Sequence, residues 1–181
     1  FECSFQAAIT GSYYGQIIEG LAKDGRIGEV PYDDNLDVET WWDLGMNDQT
    51  SIWFVQRYKG EIRLIDYYEN SGYGLDHYAG VIDQKGFEYS KHIAPFDINV
   101  RELGNLGKSR LESALELGIA FEVAPKLSIE DGIEAVQCFK NKPMHNYASH
   151  CADSFRTGII GQGAEISNWK KQVPINTNYI V

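Results

Sequence analysis

The residue pattern predicts an α/β fold: a mixed five-stranded sheet with helices on its faces. Three observations carry that prediction. The early chain holds three β-prone runs, two of them joined by the tight turn Lys59-Gly60. Later apolar positions switch to helical spacing and alternate with short β-prone runs. Sequential antiparallel strands followed by alternating helix and strand fit a mixed sheet covered by helices.

The elements follow in order. Tyr14, Ile17, Ile18 and Leu21 lie at helical spacing, which predicts an amphipathic helix over 13–23. After the polar loop PYDDNLD, strands are expected over 38–44, 50–58 and 61–68. Gly72 and Gly74 interrupt the pattern, and Leu75, Tyr78, Ala79 and Ile82 mark a helix ending near Gly86. A fourth strand over 89–94 is stopped by Pro95. Ser109-Arg110-Leu111-Glu112 is a capping box that opens a helix reaching Gly118. A fifth strand spans 121–124. Ser128 caps a helix carrying Ile129, Ile133 and Val136, and a last helix runs over 146–160.

The 181 residues suit one domain with a real core, and 43% hydrophobic content excludes a disordered chain. No apolar run reaches membrane-spanning length, so no membrane partner is expected. Cys3, Cys138 and Cys151 have no metal-ligand spacing, and an odd count suits a reducing compartment better than a disulfide scaffold. The net charge of −10 argues mildly against nucleic acid, since phosphate contacts need Lys and Arg. Metal-binding acids would add negative charge of the same kind, and cations would offset it.

Three constellations could carry chemistry. In TWWDLGMNDQTSIWF, Asp43 sits in a strand whose neighbours Trp42 and Leu44 point to the opposite face. It fits a site carboxylate or a strand-end aspartate in a solvated loop. In HIAPFD, Asp97 follows a strand stopped by Pro95, where ligands of sheet proteins gather, though aspartate is also an ordinary turn residue. In HNYASHCADSFRTG, His150 and Asp153 share a helix face that Thr157 extends, with Cys151, Ala152, Phe155 and Ile159 on the core side. That face suits a metal or acid–base pair, or plain solvation. Asp48 could return near Asp43 across the turn between two strands, whereas Asp66 reads as a surface residue. Gly107-Lys108-Ser109 is not a P-loop, because Glu102 stands where the first glycine would be needed. Lys108 and Arg110 instead open a capped helix.

WWDLGMNDQTSIWF, HIAPFD followed by NVRELGNLGKSR, and SHCADSFR occur in that order. Together they resemble the nuclease domain of the large terminase subunit of tailed bacteriophages, over nearly the whole chain to about Gly161. The resemblance implies a ribonuclease-H-like fold and an endonuclease that cuts concatemeric viral double-stranded DNA during genome packaging. It implies an acidic triad of Asp43, Asp97 and Asp153 around two Mg²⁺ or Mn²⁺ ions, with His150 and Asp48 as further candidate ligands. It also implies a linker helix from an ATPase domain over 1–30, the nuclease domain over 31–165 and a C-terminal tail over 166–181. The expected partners are DNA, that ATPase domain, the small terminase subunit and the portal of the procapsid, in the cytoplasm of a bacterial host. Phe96 departs from the family's usual Pro-His-Asp, so no ligand or proton carrier is expected at that position.

Lys91, Arg101, Lys108, Arg110 and Lys126 are candidate phosphate contacts. Two other readings stand beside the terminase one: a recombination nuclease of the same fold, and a non-catalytic DNA-gripping or capsid-docking module.

Overall fold

The computed structural model describes residues 14–45, 49–101, 107–138 and 150–162, and only the backbone at 16, 17, 137, 138, 150 and 151. Helix α1 (Gly15–Lys23) leads into β1 (Val38–Asp43), β2 (Thr50–Tyr58) and β3 (Glu61–Asn70). Helix α2 (Leu75–Lys85), β4 (Tyr89–Ala94), a 3-10 turn (Phe96–Asn99), α3 (Arg110–Glu116), β5 (Phe121–Val123), α4 (Ile129–Cys138) and α5 (His150–Gly161) follow. Every predicted element is present, and the predicted start of the last helix before His150 lies outside the described residues.

The five strands form one sheet in the order β3-β2-β1-β4-β5. β1 pairs antiparallel with β2, and β2 with β3; β4 runs parallel to β1, and β5 to β4. The sheet is therefore mixed, as the sequence predicts. Lys59 takes the left-handed conformation (φ 47°) beside Gly60 (φ 83°), which is how two residues close the β2–β3 hairpin.

Strand alternation divides the core in two. Val38 and Trp42 face one side with Ile52, Phe54, Tyr78, Ile82, Ala114 and Ile119, beneath α2 and α3. Trp41 faces the other side with Trp53, Val55, Ile93, Phe155, Ile159 and Ile160, beneath α4 and α5. Helices thus cover both faces. Helix α5 lies very close to the sheet. A Cβ on Gly158 would come 1.8 Å from the Trp41 ring, and one on Gly161 would come 2.5 Å from Ile93. Two glycines on that face permit the approach.

Ser109 caps α3 reciprocally: its hydroxyl accepts from Glu112 N–H, and the Glu112 carboxylate accepts from Ser109 N–H. Those bonds hold Glu112 below the usual carboxylate range. The predicted capping box is therefore formed.

Candidate active site at one edge of the sheet

The strand register sets where the acids emerge. Trp41 on β1 lies opposite Ile93 on β4, and the two strands run parallel. Asp43 is two residues beyond Trp41, and Pro95 two beyond Ile93. Asp97 follows at once, in the 3-10 turn that Pro95 opens. Asp43 and Asp97 therefore leave the same edge of adjacent parallel strands. Alternation puts Asp43 on the Trp41 face, the face that α5 covers.

Helix α5 returns to that edge. Ser154 Oγ bonds Ser51 Oγ at 2.8 Å, and Ser51 is the β2 residue paired with Asp43. Farther along α5, Gly158 meets Trp41, and Gln162 beyond its end donates to the Glu39 carboxylate at 3.0 Å. The helix so descends β1 from its Asp43 end to its Glu39 end. Asp153, in the first helical turn, stands at the Asp43 end. Three acids separated widely in sequence thus reach one edge.

Their detailed states differ. Asp97 Oδ1 is buried and has no hydrogen-bond partner among the described residues. The Asp153 carboxylate pairs with Arg156 at 2.8 Å. Among the described residues, no three His, Cys, Asp or Glu side chains are gathered closely enough to share a metal ion. Arg156, three residues along the same helix, is the partner of Asp153 in this arrangement. Asp48 and the His150 side chain lie outside the described residues.

Several expectations change at this level. Thr157 was expected on the polar face of the last helix with Asp153, yet it is buried. The helix turns 100° per residue, and close packing against the sheet widens its buried arc beyond the apolar residues. Asp66, read as a surface residue, is half-buried and pairs with Lys85.

Among the candidate phosphate contacts, Lys91 sits near the far end of β1. There it donates to Gln162 Oε1 at 3.1 Å and lies 3.6 Å from Glu39. Glu39 is buried and also accepts from Arg57 Nε and Trp41 Nε1, so Lys91 belongs to a structural charge network. Lys108 pairs with Glu116 at 2.6 Å on the surface. Arg101 is exposed, bridged through its backbone to Ser109. Lys126 stands exposed, with its ammonium over the Phe96 ring.

The structure adds residues that sequence reasoning did not single out. Tyr14, at the start of α1, lies within the field of Asp153 and Arg156, and burial above all pushes its phenol up. Glu69 on β3 is paired with Ser51, so Asp43, Ser51 and Glu69 form a row across three strands. On the opposite face, His92 bonds Thr40 Oγ1 through Nδ1 at 2.6 Å, and burial pushes its imidazole down to about 4.

No family model matches the chain, and no curated relative matches it. Solved structures do. The nuclease domain of the P22 large terminase is 16% identical, with a TM-score of 0.59 over 76% of this chain and 88% of that one. The large terminase nuclease of thermophilic phage G20c, solved with bound zinc, is 13% identical, with a TM-score of 0.51 over 82% of this chain and 98% of that one. The large terminase of a second thermophilic bacteriophage is 19% identical, with a TM-score of 0.51 over 74% of this chain. There the chain spans only 34% of the longer protein. At such identities the likeness is one of fold. With the strand order and the helices on both faces, it establishes that the chain has the ribonuclease-H-like fold of bacteriophage large-terminase nuclease domains.

Proposed function

We propose that the chain is a divalent-metal-dependent endonuclease that cuts double-stranded DNA, acting as the nuclease part of a phage packaging protein. The observation that carries this reading is that β1, β4 and α5 bring Asp43, Asp97 and Asp153 to one edge of the sheet, with Asp97 Oδ1 buried and without a hydrogen-bond partner among the described residues. A buried carboxylate oxygen without a partner is costly, and a cation is the partner that suits it. The donors are all carboxylate oxygens, which fit a hard ion such as Mg²⁺ or Mn²⁺. The zinc bound in the G20c nuclease supports a divalent site in this fold.

Asp43, Asp97 and Asp153 would hold two such ions, with His150 and Asp48 as further ligands. The ions would supply Lewis acidity to the scissile phosphate and to the attacking water. The chain's own part is to place three oxygens from a strand end, a turn and a helix start on rigid elements. Asp153 would exchange Arg156 for metal, which leaves the guanidinium beside the site and free to face a phosphate. The reading extends to an ATPase part in the same protein, to the small terminase subunit and portal as partners, and to the cytoplasm of a bacterial host as the place of action.

Plasmid cleavage in Mn²⁺ and in Mg²⁺ tests it. Asp43→Asn, Asp97→Asn and Asp153→Asn should each abolish cutting in both metals, with the fold intact by circular dichroism. His150→Ala should retain part of the activity and lose more in Mn²⁺ than in Mg²⁺, because Mn²⁺ accepts imidazole more readily. Full activity of any one Asn variant removes that residue from the site.

The Arg156–Asp153 pair favours one second reading, a non-catalytic DNA-gripping or docking module with structural acids. A wild-type chain that binds DNA but never nicks it in either metal would select that reading.

A further inference from the structure

We propose that Phe96 and Lys126 form a contact point for a DNA backbone phosphate at the acidic edge. This rests on the nuclease reading and names how the substrate strand is held there. The β4–β5 ladder ends where Ala124 N–H donates to Ala94 C=O at 2.8 Å. Two residues beyond each of these stand Phe96 and Lys126. Because the strands run parallel, both emerge at the edge that carries Asp43 and Asp97. Lys126 Nζ lies 5.0 Å from the centroid of the Phe96 ring.

Phe96 is 43% exposed and Lys126 is exposed too, so the pair faces solvent beside Asp97 rather than filling the core. Among the described residues, Lys126 forms no ion pair. Its ammonium is held by the face of a neutral ring instead of by a neighbouring acid. A cation–π contact at an exposed site restrains the side chain without neutralising it. The positive charge therefore remains available to a phosphate. A lysine paired with Asp97 would compete with metal for the carboxylate; a lysine parked on Phe96 does not. The phenylalanine neither ligates nor titrates; it positions the cation. Lys126 on this reading is a positioning residue for the strand, and Phe96 positions Lys126.

The test is fluorescence anisotropy of a labelled 30-base-pair duplex in EDTA, where no cleavage occurs, over a range of salt concentrations. Lys126→Ala should weaken binding several-fold and reduce the slope of log affinity against log salt by about 0.9, the loss of one phosphate contact. Lys126→Arg should keep both affinity and slope, because guanidinium also stacks on the ring. Phe96→Leu should fall between the two while the melting temperature stays unchanged. Lys59→Ala is the control, since Lys59 lies over Tyr58 in the hairpin at the opposite edge. Unchanged affinity and slope in Lys126→Ala would overturn the proposal, as would an equal effect of Lys59→Ala. Plasmid cleavage by the wild type separates that result from failure of the nuclease reading: a chain that cuts normally yet ignores Lys126 defeats this inference alone.

Discussion

Thr40 and His92 meet across β1 and β4, and their environment gives the molecule a pH-dependent stability. Burial holds the His92 imidazole neutral, with its pKa near 4 against an ordinary 6.5. Between those two values the unfolded chain binds a proton that the folded chain refuses. Stability is therefore full above about pH 6.5 and is lost as the pH falls towards 4, by at most about 3 kcal/mol. Urea midpoints of the wild type and His92→Gln at pH 7.5 and 4.5 check the sign. The wild type should lose clearly more stability on acidification, and equal losses would show that His92 is not the group responsible. At this scale the positions of Asp43 and Asp97 at the strand ends were legible, because strand alternation and a strand-stopping proline mark where a side chain leaves the sheet. Tyr14 was not, since its nearness to Asp153 comes from tertiary packing; Arg156, three residues after Asp153 on the same helix, lay at a spacing that helical periodicity does encode. Thr157 was misplaced for a related reason: a polar residue is buried when its helix sinks deep against the sheet.

The depth of α5 is itself a device of the sequence, readable only once the partner is known. Gly158 and Gly161 carry no mark in a helical pattern, where glycine costs about 1 kcal/mol relative to alanine. In the fold they let the helix backbone rest on Trp41 and Ile93. Gly158→Ala should raise intrinsic helix propensity and still destabilise the protein, by roughly 1 to 3 kcal/mol, because the Trp41 ring has no free space to yield. Lifting α5 would also carry Asp153 away from Asp43, so cleavage should fall further than stability. Thermal melts alongside plasmid cutting measure both, and a variant with unchanged melting and unchanged activity would contradict the packing argument. The β2–β3 hairpin teaches the complementary lesson. Lys59-Gly60 fixes its turn, but a bulge between Phe54 and Val55 shifts the register by one. Counted from the turn alone, Tyr68 would oppose Ser51; the bulge puts Glu69 there instead. A one-residue shift exchanges the two faces, so Glu69 could not have been placed beside Asp43 from sequence.

Across the whole molecule, the acids that would do the chemistry are also a source of instability. The chain carries a net charge of −10, and three of its carboxylates lie at one sheet edge, with one oxygen of Asp97 buried and without a hydrogen-bond partner among the described residues. Self-repulsion and an unsatisfied buried oxygen both weaken the metal-free fold. A ligand that binds only the folded state reverses this, by about 2.7 kcal/mol when its concentration is a hundredfold above its dissociation constant. Two consequences follow for the melting temperature. Mn²⁺ should raise it in the wild type, in proportion to the logarithm of the metal concentration once the site is filled. Asp97→Asn should melt higher than the wild type in EDTA, because the amide removes a charge from the edge, and should gain little on adding Mn²⁺. The two melting curves should therefore converge or cross as metal is added. Parallel rises in both proteins would mean that the ion binds elsewhere on the acidic surface. A lower melting point of Asp97→Asn in EDTA would mean that the carboxylate already has a stabilising partner, and Asp97 would then not be a metal ligand.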